Sequence, residues 1–305
     1  MSLAKVVRRS LSVKIALTLT VVVLALTALA STVIMTHETR QMEEILLEKG
    51  RLAASLGAVF YRETLENAID SGVLTVAEVF DRNYTEIKGH QWGKMPRFHS
   101  KYDAVTDRAV LLYLDKYLDY DDFVFAIGVD DKGYLPTHNT KFQQPITDIP
   151  EKDLAQNRTK YMANHPEGLI AAQNLQPSLL QVYKRATGET MWDVTSPIFV
   201  KGRHWGAFRV GVSMEKLALR QRSLLITLLA IFVVFFFVTV GTMYFVVRAE
   251  MKPVVALTAA AGQISMGEAL DVPIKSTSID EVGQLTKTID RLRVSMKAAM
   301  SRLGQ

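Results

Sequence analysis

Cysteine is missing from the 305 residues, and that absence removes disulfides, thiol catalysis and covalent attachment of a c-type haem. Any domain exposed outside a membrane must therefore hold together through its core. Also missing are a Gly-rich phosphate loop, a Gly-x-Ser-x-Gly elbow and any kinase or cyclase motif. The six histidines include no His-x-x-x-His pair. By residue type alone His138, His165 and His204 are candidates for a base or a metal ligand, but lone histidines are more often structural. The chain is expected to be no enzyme, to hold no metal and to need no cofactor, with haem bound non-covalently by His or Met left open.

Unbroken apolar length, by contrast, is plentiful. Ile15–Thr36 and Leu224–Val247 carry no charge, and each exceeds the about 20 residues a helix needs to cross a bilayer. Lys5, Arg8, Arg9 and Lys14 precede the first run without an acid, and Arg248 and Lys252 follow the second. Positive charge stays on the cytoplasmic side, so both termini are expected inside and residues 37–223 outside. The net charge of +5 agrees: residues 1–14 carry four basic residues, and residues 248–305 carry eight basic against six acidic, leaving −1 for the rest. The basic balance is thus a juxtamembrane effect, and no nucleic-acid partner is expected. Ala28-Leu29-Ala30 has the small-residue pattern of a cleavage site, yet the apolar run continues to Met35, which suits an anchor. The expected order is a tail at 1–14, spans at 15–36 and 224–247, an external domain at 37–223 and a cytoplasmic domain at 248–305, a multi-pass arrangement.

Beyond the first span Met42, Ile45, Leu52, Leu56, Val59, Leu65 and Ile69 recur with helical spacing among Glu43, Glu44, Glu48 and Arg51. The stripe either continues the membrane helix outward or packs on its own domain, and the two readings are compatible. Asp70-Ser71-Gly72 is a break. Asp115–Asp122 is acidic and aromatic, but its acids are not spaced as in a calcium loop and read as a solvated helix end. Strand character follows. Phe123–Val129 ends at the turn Asp130-Asp131-Lys132-Gly133, with Tyr134–His138 expected to return antiparallel to it. Leu179–Lys184, Thr190–Val200 and Trp205–Ser213 are joined by turns at Thr187-Gly188 and Lys201-Gly202. Helices followed by an antiparallel sheet give an α+β domain. Residues 139–178, with Pro145, Pro150, Asn157, Asn164 and Asn174, form a long insertion of the kind that often binds.

At the cytoplasmic end Val254, Leu257, Ala261 and Ile264 are spaced three, four and three apart. Val282, Leu285, Ile289, Leu292, Met296, Ala299 and Leu303 repeat the alternation. A connector from Gly267 to Ser278 carries Leu270, Val272 and Ile274. Pro253 is expected in the first turn of the first helix, where its missing N–H costs little. Ser278-Ile279-Asp280-Glu281 reads as a capping box opening the second, with Glu281 closing it. Two helices with one narrow seam each bury it as a parallel four-helix bundle of two chains. Pro253, Gly267-x-x-Leu270 and Asp280-Glu281-Val282-Gly283 resemble the HAMP domain of bacterial receptors and sensor kinases. On that resemblance the relay residues are Pro253, Leu257, Ile264, Gly267, Leu270, Ile274, Glu281, Leu285 and Leu292. Lys287, Arg291, Arg293, Lys297 and Arg302 against Asp290 form a basic face, suited to an acidic partner helix or to membrane lipids.

The external segment resembles the PAS-like, single-Cache sensory region of methyl-accepting chemotaxis proteins. Gly133-Tyr134-Leu135-Pro136-Thr137-His138-Asn139, Asn157-Arg158-Thr159-Lys160 and the block from Leu179-Leu180-Gln181 through Gly188-Glu189 to Gly202-Arg203-His204-Trp205-Gly206 carry the likeness. Gln173 and Ala186 stand where relatives usually have a basic and an acidic residue, and residues 37–120 hold no motif. No kinase-control segment follows the HAMP-like region before Gln305. The resemblance implies a sensor subunit in a bacterial inner membrane, a homodimer that detects a small molecule outside and signals to a separate cytoplasmic output protein. The alternative is an interaction protein, or a truncated chemoreceptor, that modulates full-length receptors through HAMP pairing without its own ligand. The expected ligand site lies between the sheet and the insertion, formed by Tyr134, His138, Asn139, Arg158, Gln173, Asn174, Tyr183 and Trp192. Arg158 can alternatively pair with Asp148 or Asp153 and pin the loop.

Overall fold

The computed structural model describes residues 11–89, 96–147, 149–184, 188, 190–275 and 278–303. Lys5, Arg8, Arg9, Asp148, Ala186, Thr187 and Glu189, all invoked above, lie outside the described residues, as does the side chain of Leu303. The chain forms two compact units, one of residues Met35–Leu224 and one of Met1–Ile34 with Leu225–Gln305.

In the Met35–Leu224 unit the helix α1 (Leu11–Asp70) ends where Gly72, at φ +72°, turns the chain. The short helices α2 (Val76–Val79), α3 (Asp103–Ala109) and α4 (Leu111–Tyr117) surround the edge of a four-stranded antiparallel sheet. A two-strand pair, β1 (Thr85–Glu86) with β2 (Phe98–His99), lies between α2 and α3 in sequence. The sheet order is β3 (Phe123–Asp130), β8 (Arg203–Ser213), β7 (Thr190–Val200), β6 (Leu179–Lys184). The β7–β8 turn places Lys201 at φ +49° and Gly202 at φ +77°, the left-handed pair whose twist suits a two-residue hairpin.

One expected strand pairing is corrected. Tyr134–His138 does not return along β3. Only β4 (Tyr134–Leu135) is a strand, and it pairs with β5 (Tyr161–Met162), while β3 pairs with β8. The chain does turn at Gly133, whose amide donates to Asp130 O at 2.9 Å. Gly133 sits at φ +82° against the Ala163 carbonyl, and this contact directs the chain away from β3. The 139–178 insertion is likewise structured, with α5 (Pro150–Gln156) and α6 (Pro166–Ala172).

The apolar stripe on α1 is divided. Leu65 is buried and Met42 and Ile69 pack against the core, but Ile45, Leu52, Leu56 and Val59 are exposed, and Leu46, Ala53, Ala54, Ala58, Tyr61 and Ala68 are buried beside Leu65. Close approach explains the difference. Gly50 meets Val194, Gly57 lies on the Phe208 ring, and the Tyr61 ring covers Gly128 in β3. Any Cβ at Gly57 or Gly128 collides with those rings, so the interface selects small residues rather than large ones.

Side chains alternate along the strands. Val194, Ile198, Phe208, Val210 and Val212 join the core under α1. Phe125, Ile127, Val129, Met191 and Ala207 face the opposite side, with Leu135, Phe142 and Ala172 of the following segments. Asp130, at the end of β3, is fully buried. Its carboxylate accepts from the Tyr84 hydroxyl at 2.6 Å, the Tyr102 hydroxyl at 2.7 Å, and the amides of Tyr134 (2.9 Å) and Lys132 (3.0 Å). Arg82 lies 3.4 Å away.

In the other unit the apolar parts of α1 and of α7 (Met214–Ser265) are long and apolar enough to cross a membrane. Leu17, Leu26, Leu29, Val234, Phe237 and Phe245 are exposed along them, as side chains facing lipid would be. A connector leads to α8 (Glu281–Leu303). Pro253 is not in a first turn: it lies inside the continuous α7, at the cost of one backbone hydrogen bond.

Replacing Asp130 by Ala leaves the Tyr84 and Tyr102 hydroxyls and two amides without their acceptor and removes one of the two carboxylates beside Arg82, which keeps Asp131 at 2.6 Å. Loss of one partner from a buried charged network costs about 3–5 kcal/mol. Chemical denaturation of the detergent-solubilised protein should show the Met35–Leu224 transition falling by that amount, with the helical signal of the other unit unchanged.

Candidate functional site

The side of the sheet away from α1 carries polar residues at the alternate positions. Arg209 in β8 and Asp193 in β7 are both buried. The guanidinium donates to the Asp193 carboxylate through Nε at 3.0 Å and through a second, shorter bond. Burial opposes the Arg209 charge, but Asp193 outweighs it and holds the guanidinium protonated, with its pKa raised. From β6 the Tyr183 hydroxyl approaches Asp193 at 3.4 Å.

Over this face the insertion leaves a cavity of about 310 Å³. Its apolar wall is Phe125, Ile127, Leu135, Leu154 and Ala163, and its polar groups are His138, Arg158, Tyr161, His165, Glu167, Tyr183, Lys184 and Arg209. Arg209 is paired with Asp193, and the lining adds the cations of Arg158 and Lys184 beside one acid, Glu167. Desolvation, reinforced by Arg209, holds His165 below its ordinary value. Concave, largely apolar cavities with a few convergent polar groups are the usual form of a small-molecule site, and this charge balance suits an anion.

Of the eight residues expected at the site, the structure brings His138, Arg158 and Tyr183 to the cavity. His138 is buried against Phe142, ring centroids 4.5 Å apart. The other five serve elsewhere. The Tyr134 hydroxyl donates to Phe98 O at 2.7 Å and lies 3.0 Å from Asp103, in the α1-side core. Asn139 ties β3 to α4, accepting from Ala126 N at 2.9 Å and donating to Leu114 O at 2.5 Å. Gln173 is exposed, with an amide 3.5 Å from Asp131 O. Asn174 closes a turn on Gln176, and Trp192 packs against the α1-side core. Asp153 accepts from Thr147 N at 2.8 Å, and Arg158 Nε donates to Leu154 O at 2.7 Å.

Sequence reasoning missed Arg209 and Lys184. The signal for Arg209 was its place between Phe208 and Val210 in a strand, where an arginine faces the opposite side from its apolar neighbours. It also missed Arg97, in a region without motifs. Arg97 is buried and donates to Thr159 O at 2.7 Å and Asn157 O at 2.6 Å, the carbonyls on either side of Arg158. It thereby holds the backbone from which Arg158 reaches the cavity. Among the described residues no cluster of three or more His, Asp or Glu is arranged to hold a metal ion.

In the α7–α8 region Leu257 and Ile264 are buried within the chain. Gly267 leaves α7 at φ +80°, and the connector is pinned to α8. Asp290 accepts from Ile274 N at 3.0 Å and from Arg293 Nε at 2.7 Å, and Arg293 also donates to Leu270 O. Arg293 is thus buried and engaged rather than part of an exposed basic face, and Lys297 pairs with Asp271. The capping box is replaced by a single-residue cap. Asp280 accepts from Val282 N at 3.0 Å and Gly283 N at 3.1 Å, and Glu281 begins the helix. The aspartate, two residues nearer the helix than Ser278, takes the amides first. Leu285 and Leu292 are 45% and 60% exposed, and a groove of about 430 Å³ opens beside Pro253, Leu257, Ile264, Ile274 and Thr286.

Replacing Arg97 by Ala frees the carbonyls flanking Arg158. Amide hydrogen exchange at residues 157–161 is expected to accelerate by at least about tenfold, the equivalent of about 1.4 kcal/mol of local opening, while β7 and β8 exchange as before.

Residues 245–298 match the HAMP domain family model. No curated protein matches the chain. Among solved structures it is similar to an extracellular ligand binding receptor from Desulfohalobium retbaense DSM5692 (11% identity, TM-score 0.33, covering 60% of this chain and 25% of that one). It is also similar to the ligand-binding domain of Campylobacter jejuni chemoreceptor Tlp3 in complex with L-valine (10%, TM-score 0.29, 59% and 64%). A third is the extracellular domain of the putative histidine kinase vpHK1S-Z8 (16%, TM-score 0.26, 61% and 61%). The chain spans from 25% to 64% of the lengths of these structures. Two apolar helices, a mixed helix–sheet domain between them and a stretch at 245–298 that matches the HAMP domain family make this a membrane signal-transduction protein.

Proposed function

We propose that the protein detects a small anionic molecule outside the membrane and relays its presence through HAMP to a cytoplasmic output protein. The observation that carries this reading is the 310 Å³ cavity with Arg158, Lys184 and Tyr183 at its polar side, in the domain between the two apolar helices. The chemistry favours a small carboxylate, whose oxygens take bidentate donation from a guanidinium while its carbon chain meets Phe125, Ile127 and Leu154. The positive flanks support an orientation with residues 37–223 outside a bacterial inner membrane and both termini in the cytoplasm.

The relay is read as a homodimer. Leu285 and Leu292 are exposed in a single chain at the heptad positions of α8, and a second copy supplies the two helices that cover them. Ligand binding biases the bundle only so far as it favours one packing over the other. Gly267 and Glu281 then act in signalling: Gly267 sets the conformation leaving α7, and Glu281 lies at the start of α8 beside its cap.

A thermal-shift screen of mono- and dicarboxylates against the purified protein should find a stabilising compound. Arg158→Ala and Tyr183→Ala should abolish the shift while leaving the unliganded melting temperature within about 2 °C of wild type, as expected for partly exposed positions. Normal binding by both variants places the ligand elsewhere. For the dimer, single cysteines at Leu285 or Leu292 are expected to cross-link in membranes and one at Lys287 is not. The reverse pattern contradicts the seam.

A further inference from the structure

A second groove lies within the unit formed by the apolar helices. The N-terminal part of α1 and the stretch of α7 around Arg248 enclose about 510 Å³. Val13, Ala16 and Val247 line its apolar part, and Tyr244, Arg248 and Lys252 supply its polar atoms. The Arg248 guanidinium donates to the Tyr244 hydroxyl at 2.7 Å and lies 5.9 Å from that ring's centroid, which holds it in place. Among the described residues neither Arg248 nor Lys252 is ion-paired with a carboxylate, and neither is Lys14 beside Val13. Within residues 245–258 the single acid, Glu250, is two positions from each cation, an offset that faces away on a helix.

Position and chemistry agree on an occupant. The charge-free run of α7 ends at Val247 and that of α1 begins at Ile15, so the groove sits where both helices leave the hydrocarbon. From Tyr244 to Lys252 is about 12 Å along a helix axis, comparable to the headgroup layer. We infer that this groove is a seat for the headgroup of an anionic phospholipid of the cytoplasmic leaflet. The phosphate accepts from Arg248, Lys252 and the Tyr244 hydroxyl, and the glycerol and first acyl carbons lie on Val13, Ala16 and Val247. Basic pockets between membrane helices on that side suit such lipids, and a guanidinium is the better phosphate fork. The inference rests on reading the two helices as membrane spans and is independent of the external ligand.

The test uses the full-length protein in neutral detergent, with phosphatidylglycerol, phosphatidylcholine or inorganic phosphate added. Melting temperature and lipid retained in native mass spectrometry are the readouts. Phosphatidylglycerol is expected to raise the melting temperature and stay bound, and the other two are not. The double variant Arg248→Gln/Lys252→Gln should lose the shift and retain phosphatidylglycerol about tenfold to thirtyfold less, the effect of two surface cations. A charge-matched variant in the Met35–Leu224 unit, Lys88→Gln/Lys152→Gln, both exposed there, should behave as wild type. Undiminished retention by the first variant, or equal stabilisation by phosphatidylcholine, overturns the proposal. An equal shift with inorganic phosphate reassigns the groove to a free anion. Loss of Leu285→Cys cross-linking in the double variant, with lipid retention unchanged, assigns the groove to a second copy's helix. Should the double variant fail to insert, competition between the two lipids for the wild-type protein decides the matter.

Discussion

The contact between α1 and the sheet is close enough to exclude most side chains, and the rest of the Met35–Leu224 unit is arranged around it. Gly50 and Gly57 on the helix and Gly128 on β3 leave room only for Val194, Phe208 and Tyr61. That side of the sheet is dry and tightly packed, so a change of even one methylene is felt there. Strand alternation then sends every second residue of β3, β7 and β8 to the other side. There the chain keeps an arginine, an aspartate and, from β6, a tyrosine. A buried ion pair is weak evidence for stability, since desolvation offsets most of its attraction. Its value here is chemical, because it places polar groups at the base of a cavity whose wall is otherwise apolar. Asp130 holds the α1 side together at the end of β3, gathering Tyr84 and Tyr102 from the preceding segment and the amide of Tyr134 just after the turn.

What could be read in the sequence followed the strength of the local signal. Charge-free runs are long and unambiguous, and both stand in helices fit to span a bilayer. Strands marked by β-branched and aromatic residues and bounded by Gly turns also stood out, because turn chemistry at Lys201-Gly202 fixes register. The middle of the α1 stripe misled for a physical reason, while Leu65 is buried as its spacing suggested. Periodicity follows large apolar side chains, while between Gly50 and Ala58 the buried face was chosen by closeness and holds glycine and alanine. Ile45, Leu52, Leu56 and Val59 face outward instead. Tyr134–His138 misled because a turn signal says that the chain reverses but not which strand receives it.

The candidate site was half legible. His138, Arg158 and Tyr183 line one cavity, where the sheet and the insertion were expected to meet. Asn139 and Asn174 have the same amide chemistry as ligand-binding residues, but they satisfy backbone groups, a use that composition cannot distinguish. Arg209 required knowing which side of β8 is covered by α1. Arg97 required knowing that a residue about 60 positions before Arg158 closes on its backbone. In the HAMP-matching stretch Asp290 and Arg293 were counted as surface charge, yet they hold the connector to α8, a contact that depends on the path of the chain through residues 266–275.

Both α1 and α7 are continuous helices through the ends of their apolar runs, so the proposed signal has an unbroken backbone to travel along. Hydrogen exchange of the full-length protein in nanodiscs, with and without a stabilising carboxylate, tests the account most directly. The account predicts slower exchange at residues 136–162 and β6, together with altered exchange in residues 251–275 and 278–303. Protection confined to another surface of the sensory domain, or protection at the cavity with no change in the HAMP residues, contradicts it.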